Sequence, residues 1–191
     1  MIPWRGRLKF RTYNPGKITK YGVLVRMVCE TVSGYICNME IYTTEGKKLE
    51  DTVLSLLGRN FGQNHHIYQD NFYKSVRLAK TLLDRNMRVC NTMRANRGIP
   101  RDLEGEGKHL KKGKSAFQRK GDIMVQVWKN KRLVRVISMI HEATIVNTER
   151  KDRKTNMEIK KPYAAAQYNK FMKGVDRADQ YLSFYSVLRK M

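Results

Sequence analysis

The chain has 191 residues, 41% of them hydrophobic and 29% charged, a balance that excludes an intrinsically disordered segment and suits a folded domain. Its 39 Lys and Arg outweigh 17 Asp and Glu, giving a formal charge of +22, so the expected partner is a polyanion, nucleic acid first among them. No apolar run approaches the ~18 residues of a membrane span, no long basic amphipathic helix suggests a membrane surface, and the N-terminus lacks the apolar core of a signal peptide.

Residues 1–20 carry Arg5, Arg7, Lys9, Arg11, Lys17 and Lys20 without an acid. Tyr21–Glu30 and Tyr35–Thr43, rich in Val, Ile, Tyr and Met, read as two strands of a hairpin around the Ser33–Gly34 turn. Leu49–Leu57 spaces its apolar residues as a short helix, with Glu50 and Asp51 in the first turn. His65–Gln69 reads as a strand, Phe72–Leu83 as a helix and Arg88–Met93 as a further strand, a right-handed βαβ unit. These four strands are expected to share one sheet with the helices packed on it. Asp70 ends the His65–Gln69 strand, where ligands collect in open α/β sheets. Asp is equally suited to capping the helix that follows, and on the sequence alone that reading is preferred.

Residues 101–118 break the pattern with three glycines and lysines at 108, 111, 112 and 114. Ile123–Trp128 and Leu133–Met139 alternate as two more strands. Between Lys108 and Arg135 ten basic residues face the single acid Asp122, which reads as a β-rich basic insertion. Residues 148–161 read as an exposed loop or linker. Ala164–Met172 and Val175–Leu188 fit helices interrupted at Gly174. The expected organisation is an α/β core in 1–106, the insertion and linker in 107–161, and a C-terminal helical part of the core in 162–191.

Asp176 and Asp179 are three apart and share one helical face. Such a pair suits a hard cation, although spacing alone favours a solvated acidic face beside Arg177. His65 and His66 have no further Cys or His at zinc-ligand spacing, and neighbours in a strand point to opposite faces, so a structural role is expected. Cys29, Cys37 and Cys90 form no CxxC pair and read as buried thiols of a reducing compartment. Trp4, Trp128 and the ten Tyr are expected in core or hairpin packing, with a minority stacking on bases.

Several blocks, in order, carry a more specific signal. They are Met1-Ile-Pro-Trp-Arg-Gly-Arg7, Lys20-Tyr-Gly22, Gly34-Tyr-Ile-Cys-Asn-Met-Glu-Ile-Tyr42 and His66-Ile-Tyr-Gln-Asp-Asn-Phe-Tyr73. Asn96-Arg-Gly-Ile-Pro100, Val127-Trp128 and Tyr168-Asn-Lys-Phe-Met-Lys-Gly-Val-Asp-Arg-Ala-Asp-Gln-Tyr181 follow. Together they resemble the piggyBac transposable element-derived proteins, the type 4 group most of all, along nearly the whole chain.

The resemblance implies an RNase H-like mixed sheet with flanking helices, interrupted by a β-rich insertion. It implies a DDE/D site in which carboxylates hold Mg²⁺ or Mn²⁺ for cutting and joining DNA, with Asp70, Asp176 and Asp179 as the matching acids. Arg5, Arg7, Lys111, Lys112 and Lys114 are then candidate contacts to DNA phosphates. It further implies transposon ends and target DNA as partners, a homodimer for the intact protein, and a nuclear location. The family's first catalytic Asp, in an Asp-Glu pair upstream of the Met1–Arg7 block, has no counterpart here, nor have its last helices and Cys-rich zinc tail. Two expectations remain open at this stage: a truncated transposase, inactive as written, or a domesticated DNA-binding protein without catalysis.

Overall fold

Strand pairing sorts the β-structure into four sheets in the computed structural model, which describes residues 1–16, 20–43, 46–70, 75–151, 156 and 158–184. The chain forms two compact units, residues 1–59 with 173–191, and residues 60–172. Among the described residues no helix is long and apolar enough to cross a membrane.

In the first unit, β1 (Ile2–Pro3), β2 (Thr12–Tyr13) and β3 (Tyr21–Val23) form a small antiparallel sheet in the order β1-β3-β2. Gly22 is required there, because a Cβ on it would lie 2.2 Å from the Ile2 carbonyl oxygen of the paired strand. The Tyr21–Glu30 segment is thus two strands. At Leu24 the chain leaves this sheet, and β4 (Val25–Cys29) pairs with β5 (Ile36–Ile41) as a hairpin. Helix α1 (Leu49–Leu57) packs on that hairpin through Val53, Leu56 and Leu57. Polar contacts fix the orientation: Asn38 Nδ2 donates to the Leu56 carbonyl at 2.9 Å, and Arg26 Nη1 to Thr52 Oγ1 at 3.1 Å. Helix α5 (Gly174–Phe184) packs on β4, and residues 185–188 of the expected helix lie outside those described.

In the second unit, β6 (His66–Gln69) and β7 (Arg88–Thr92) pair in parallel, joined through α2 (Val76–Leu83). Residues 72–74 of the expected helix lie outside the described residues; α2 starts after Ser75, whose Oγ accepts from the Leu78 amide at 3.1 Å. Strands β8 (Ser115–Lys120), β9 (Ile123–Lys129) and β10 (Leu133–Ser138) extend the same sheet, in the order β6-β7-β10-β9-β8. The sheet is mixed, with one parallel and three antiparallel pairings.

This corrects the expectation of one sheet holding all four early strands. Among the described residues the strands of the β4–β5 hairpin pair with each other alone, while β7 takes β10 as its second neighbour. Periodicity reports that a segment is extended, not which edge it bonds.

Two further corrections follow. Arg101–His109 is a helix, α3, despite Gly105 and Gly107. A Cβ on Gly107 would sit 3.0 Å from Leu133 Cδ2 and 3.2 Å from Val127 Cγ2, so the glycine lets the helix approach the sheet closely. The Asp102 and Glu104 side chains at its N-terminus and Lys108 and His109 at its C-terminus match the helix dipole. Residues 148–151 and 158–161, expected in a loop, lie in the antiparallel pair β11 (Ile145–Lys151) and β12 (Glu158–Pro162), while 152–155 and 157 lie outside the described residues.

Strand alternation assigns the helices to opposite faces of the sheet. On one face α4 (Tyr163–Phe171) buries Ala164, Ala165 and Tyr168 against Cys90, Met124 and Val136. On the other, α3 meets Val127, and Glu104 accepts both Arg135 Nε, at 2.7 Å, and Arg135 Nη2.

Candidate functional site

Asp70 directly follows β6 and is exposed, at the carboxyl end of a parallel strand. It is not the cap of α2, a role that Ser75 fills five residues later. The strand end before it is held by a side chain that sequence reading overlooked. Asn91, fully buried on β7, accepts the Gln69 amide on its Oδ1 at 2.6 Å. A buried carboxamide bonding a neighbouring strand's backbone pins the Tyr68–Gln69 peptide, one residue short of Asp70.

Asp176 and Asp179 both lie on α5, Asp176 exposed in its first turn and Asp179 partly buried. Two tight approaches seat this helix on the β4–β5 hairpin. A Cβ on Gly174 would lie 2.9 Å from the Glu30 carbonyl oxygen, and one on Gly34 would lie 3.0 Å from Arg177 Cβ. Gly34 also has φ +80°, which disfavours any other residue. Arg177, between the two aspartates, donates through Nη1 to the carbonyls of Thr31, at 3.1 Å, and Val32. It therefore clasps the hairpin turn and is no mere counter-ion to its acidic neighbours. The Asp179 carboxylate is 3.9 Å from the Met1 amino group.

The turn that Arg177 grips is itself built on Glu30. Its carboxylate accepts the amides of Val32, at 2.9 Å, and Ser33, at 2.5 Å, and the Ser33 hydroxyl at 2.6 Å. The Ser33 hydroxyl and then these amides pull the Glu30 carboxyl down to about 2. Sequence reading saw only Ser33–Gly34 as a turn signal, whereas an acid two or three residues ahead of free amides was the further clue.

The basic candidates are at the surface. Arg5 and Arg7 are exposed beside the β1–β3–β2 sheet. Lys111, Lys112 and Lys114 are exposed in a tight turn before β8, where the Lys114 amide donates to the Lys111 carbonyl at 3.0 Å. Gly113, at φ +86°, donates its amide to the Lys129 carbonyl at 2.7 Å, anchoring that turn to the end of β9. Arg135, by contrast, is committed to Glu104. Of the cysteines, Cys90 is buried, Cys29 half-buried and Cys37 exposed, which corrects the expectation of buried thiols. Trp128 is buried, whereas Trp4, Tyr13 and Tyr21 are exposed.

Among the described residues no three His, Cys, Asp or Glu side chains cluster as a metal site. Asp70, Asp176 and Asp179 offer hard carboxylate oxygens, which suit Mg²⁺ or Mn²⁺ and not a softer ion.

The family model described as Transposase IS4 matches residues 1–191. The human PiggyBac transposable element-derived protein 3 is 28% identical over 97% of this chain and 34% of its own length. The human Chimeric ERCC6-PGBD3 protein is also 28% identical, over 97% of this chain and 19% of its own length. A solved piggyBac transposase synaptic complex with hairpin DNA superposes with a TM-score of 0.82 at 30% identity, covering 98% of this chain and 40% of that one. The chain thus spans about a third of the first relative's length. A match along all of residues 1–191, with these relatives beside it, makes the chain a member of the piggyBac-type DDE transposase family.

Proposed function

We propose that residues 1–191 form part of the catalytic core of a piggyBac-type DNA transposase, with an RNase H-like arrangement of the mixed sheet and its helices. The observation that carries this reading is the likeness to the piggyBac synaptic complex, at 30% identity and over 98% of the chain. Asp70, Asp176 and Asp179 are the acids that would hold Mg²⁺ or Mn²⁺, a cation that activates an attacking oxygen and stabilises the leaving one. The chain's own residues supply placement. Asn91 fixes the strand end carrying Asp70, and Arg177 with Gly34 and Gly174 fixes the first turn of α5. Such second-layer contacts matter because small misplacements of catalytic groups cost large factors in rate.

Arg5, Arg7, Lys111, Lys112 and Lys114 would neutralise DNA phosphates, positioning the duplex without reading its sequence. A nuclear location and a homodimer of the intact protein belong to the same reading. These 191 residues by themselves are expected to bind DNA without cutting it. A Mn²⁺ titration of this chain tests the acids. Asp70→Ala and Asp176→Ala should each weaken binding, and unchanged affinity in both would remove them from the site. Nicking of a supercoiled plasmid by the unaltered chain, abolished by either substitution, would overturn the expectation of inactivity.

A further inference from the structure

The exposed rings of the first unit are unexplained by core packing. Tyr13 and Tyr21 face each other across the β2–β3 pairing, their ring centroids 4.7 Å apart and tilted by 34°, yet they are 57% and 51% exposed. The Arg11 guanidinium lies 5.2 Å from the Tyr21 ring centroid, and its Nη1 reaches the Arg5 carbonyl at 3.4 Å. Trp4 is also exposed, its indole beside Gly6, where a Cβ would meet Nε1 at 2.8 Å. The first acid in the chain is Glu30, so all of these rings stand in a stretch whose charged side chains are exclusively positive.

Aromatic rings left in water amid cations fit one ligand chemistry well. An unpaired nucleotide offers a flat base for the ring and a phosphate for the guanidinium, whereas the bases of an intact duplex are stacked on each other. We propose that the β1–β3–β2 sheet is a stacking platform for unpaired bases of single-stranded DNA, with Tyr13 and Tyr21 as the ring surface and Arg11 as the phosphate contact. This rests on the reading of DNA as the partner, but it adds a distinct preference for single strands. Tyrosine reads a base by its face and not by its edge, so the site is tolerant of sequence.

The test is fluorescence anisotropy of the full 191-residue chain with a labelled oligothymidine strand and with a duplex of the same length, without divalent metal. Tyr13→Leu/Tyr21→Leu should weaken single-strand binding by about tenfold or more and leave duplex binding within about twofold, because each base stacked on a ring contributes roughly five- to 150-fold. Tyr13→Phe/Tyr21→Phe keeps the rings and should bind as the unaltered chain does. Equal losses on both ligands, or no loss on either, would overturn the platform, whereas duplex binding by the unaltered chain would still support the broader reading. Absence of duplex binding at low salt would defeat the broader reading instead. Should the Leu variant fail to fold, an iodouracil-substituted strand photocrosslinked to the unaltered chain decides the matter. Adducts on Tyr13 or Tyr21 support the platform, and adducts confined to other residues contradict it.

Discussion

The two units spend their apolar residues differently. Twenty of the buried apolar residues described lie in residues 60–172, and only Val23, Val53, Leu56, Leu57 and Ala178 lie in the other unit. There, Met39, Ile41, Tyr13 and Tyr21 remain more than half exposed. Helices cover both faces of the five-stranded sheet, whereas the first unit builds two small sheets and adds the Glu30 turn, the Arg177 clasp and close glycine approaches to a smaller apolar core. Hydrophobic burial is proportional to area and tolerates sequence change, while a polar clasp depends on single groups.

The largest expected effect sharpens that contrast. Leu82, fully buried on α2, should lose about 2–5 kcal/mol of stability as Leu82→Ala, because removing its methyls leaves a cavity. Met39→Ala, at a residue 64% exposed, should stay within about 0.5 kcal/mol. Urea denaturation compares the two, and equal costs would erase the distinction between the units.

A smaller effect is expected at the Glu104–Arg135 ion pair, which links α3 to the large sheet. Glu104 is held below its ordinary range by the Arg135 hydrogen bonds, and Arg135 is raised in turn. Both side chains are mostly covered, so Glu104→Gln should cost about 1.5–3 kcal/mol in the same assay, through weakened charge-assisted bonds. A neutral result would mean that the pair is solvated like an ordinary surface bridge.

The third effect is confined to the first unit and depends on pH. Glu30 has its folded pKa pulled from 4.5 to about 2, so its turn gains stability above pH 4.5 and loses it as pH falls towards 2. Amide exchange at Val32 and Ser33 should accelerate across that window, beyond the intrinsic trend, and Glu30→Gln should remove the transition. An acid response unchanged in Glu30→Gln would assign it to other groups.

Much of this was legible in the residues. The apolar spacing of Leu49–Leu57 marked its helix to the residue, and the strand before Asp70 was placed within one position. Asp70, Asp176 and Asp179 were singled out by position, but their spacing alone favoured a cap and a solvated acidic face, and only the resemblance gave them a metal-holding role. What escaped was relational. Gly105 and Gly107 read as breaks, since the sequence does not show that Gly107 lies against Leu133. The polar run 148–161 read as a loop, since β11 and β12 satisfy their backbone by pairing with each other rather than by burying side chains. Asn91 and Arg177 escaped because their partners are backbone groups, which leave no trace in residue identity.

The proposed meeting of this basic surface with DNA phosphates is tested most directly by the salt dependence of duplex binding. With Z phosphates neutralised, the logarithm of affinity should fall against the logarithm of salt with a slope near −0.9Z. The unaltered chain should show a steep slope. Arg5→Ala/Arg7→Ala should make it shallower by about 2, and Lys111→Ala/Lys112→Ala/Lys114→Ala by about 3, if each of these side chains meets one phosphate. A flat slope, or no binding at low salt, would contradict the account.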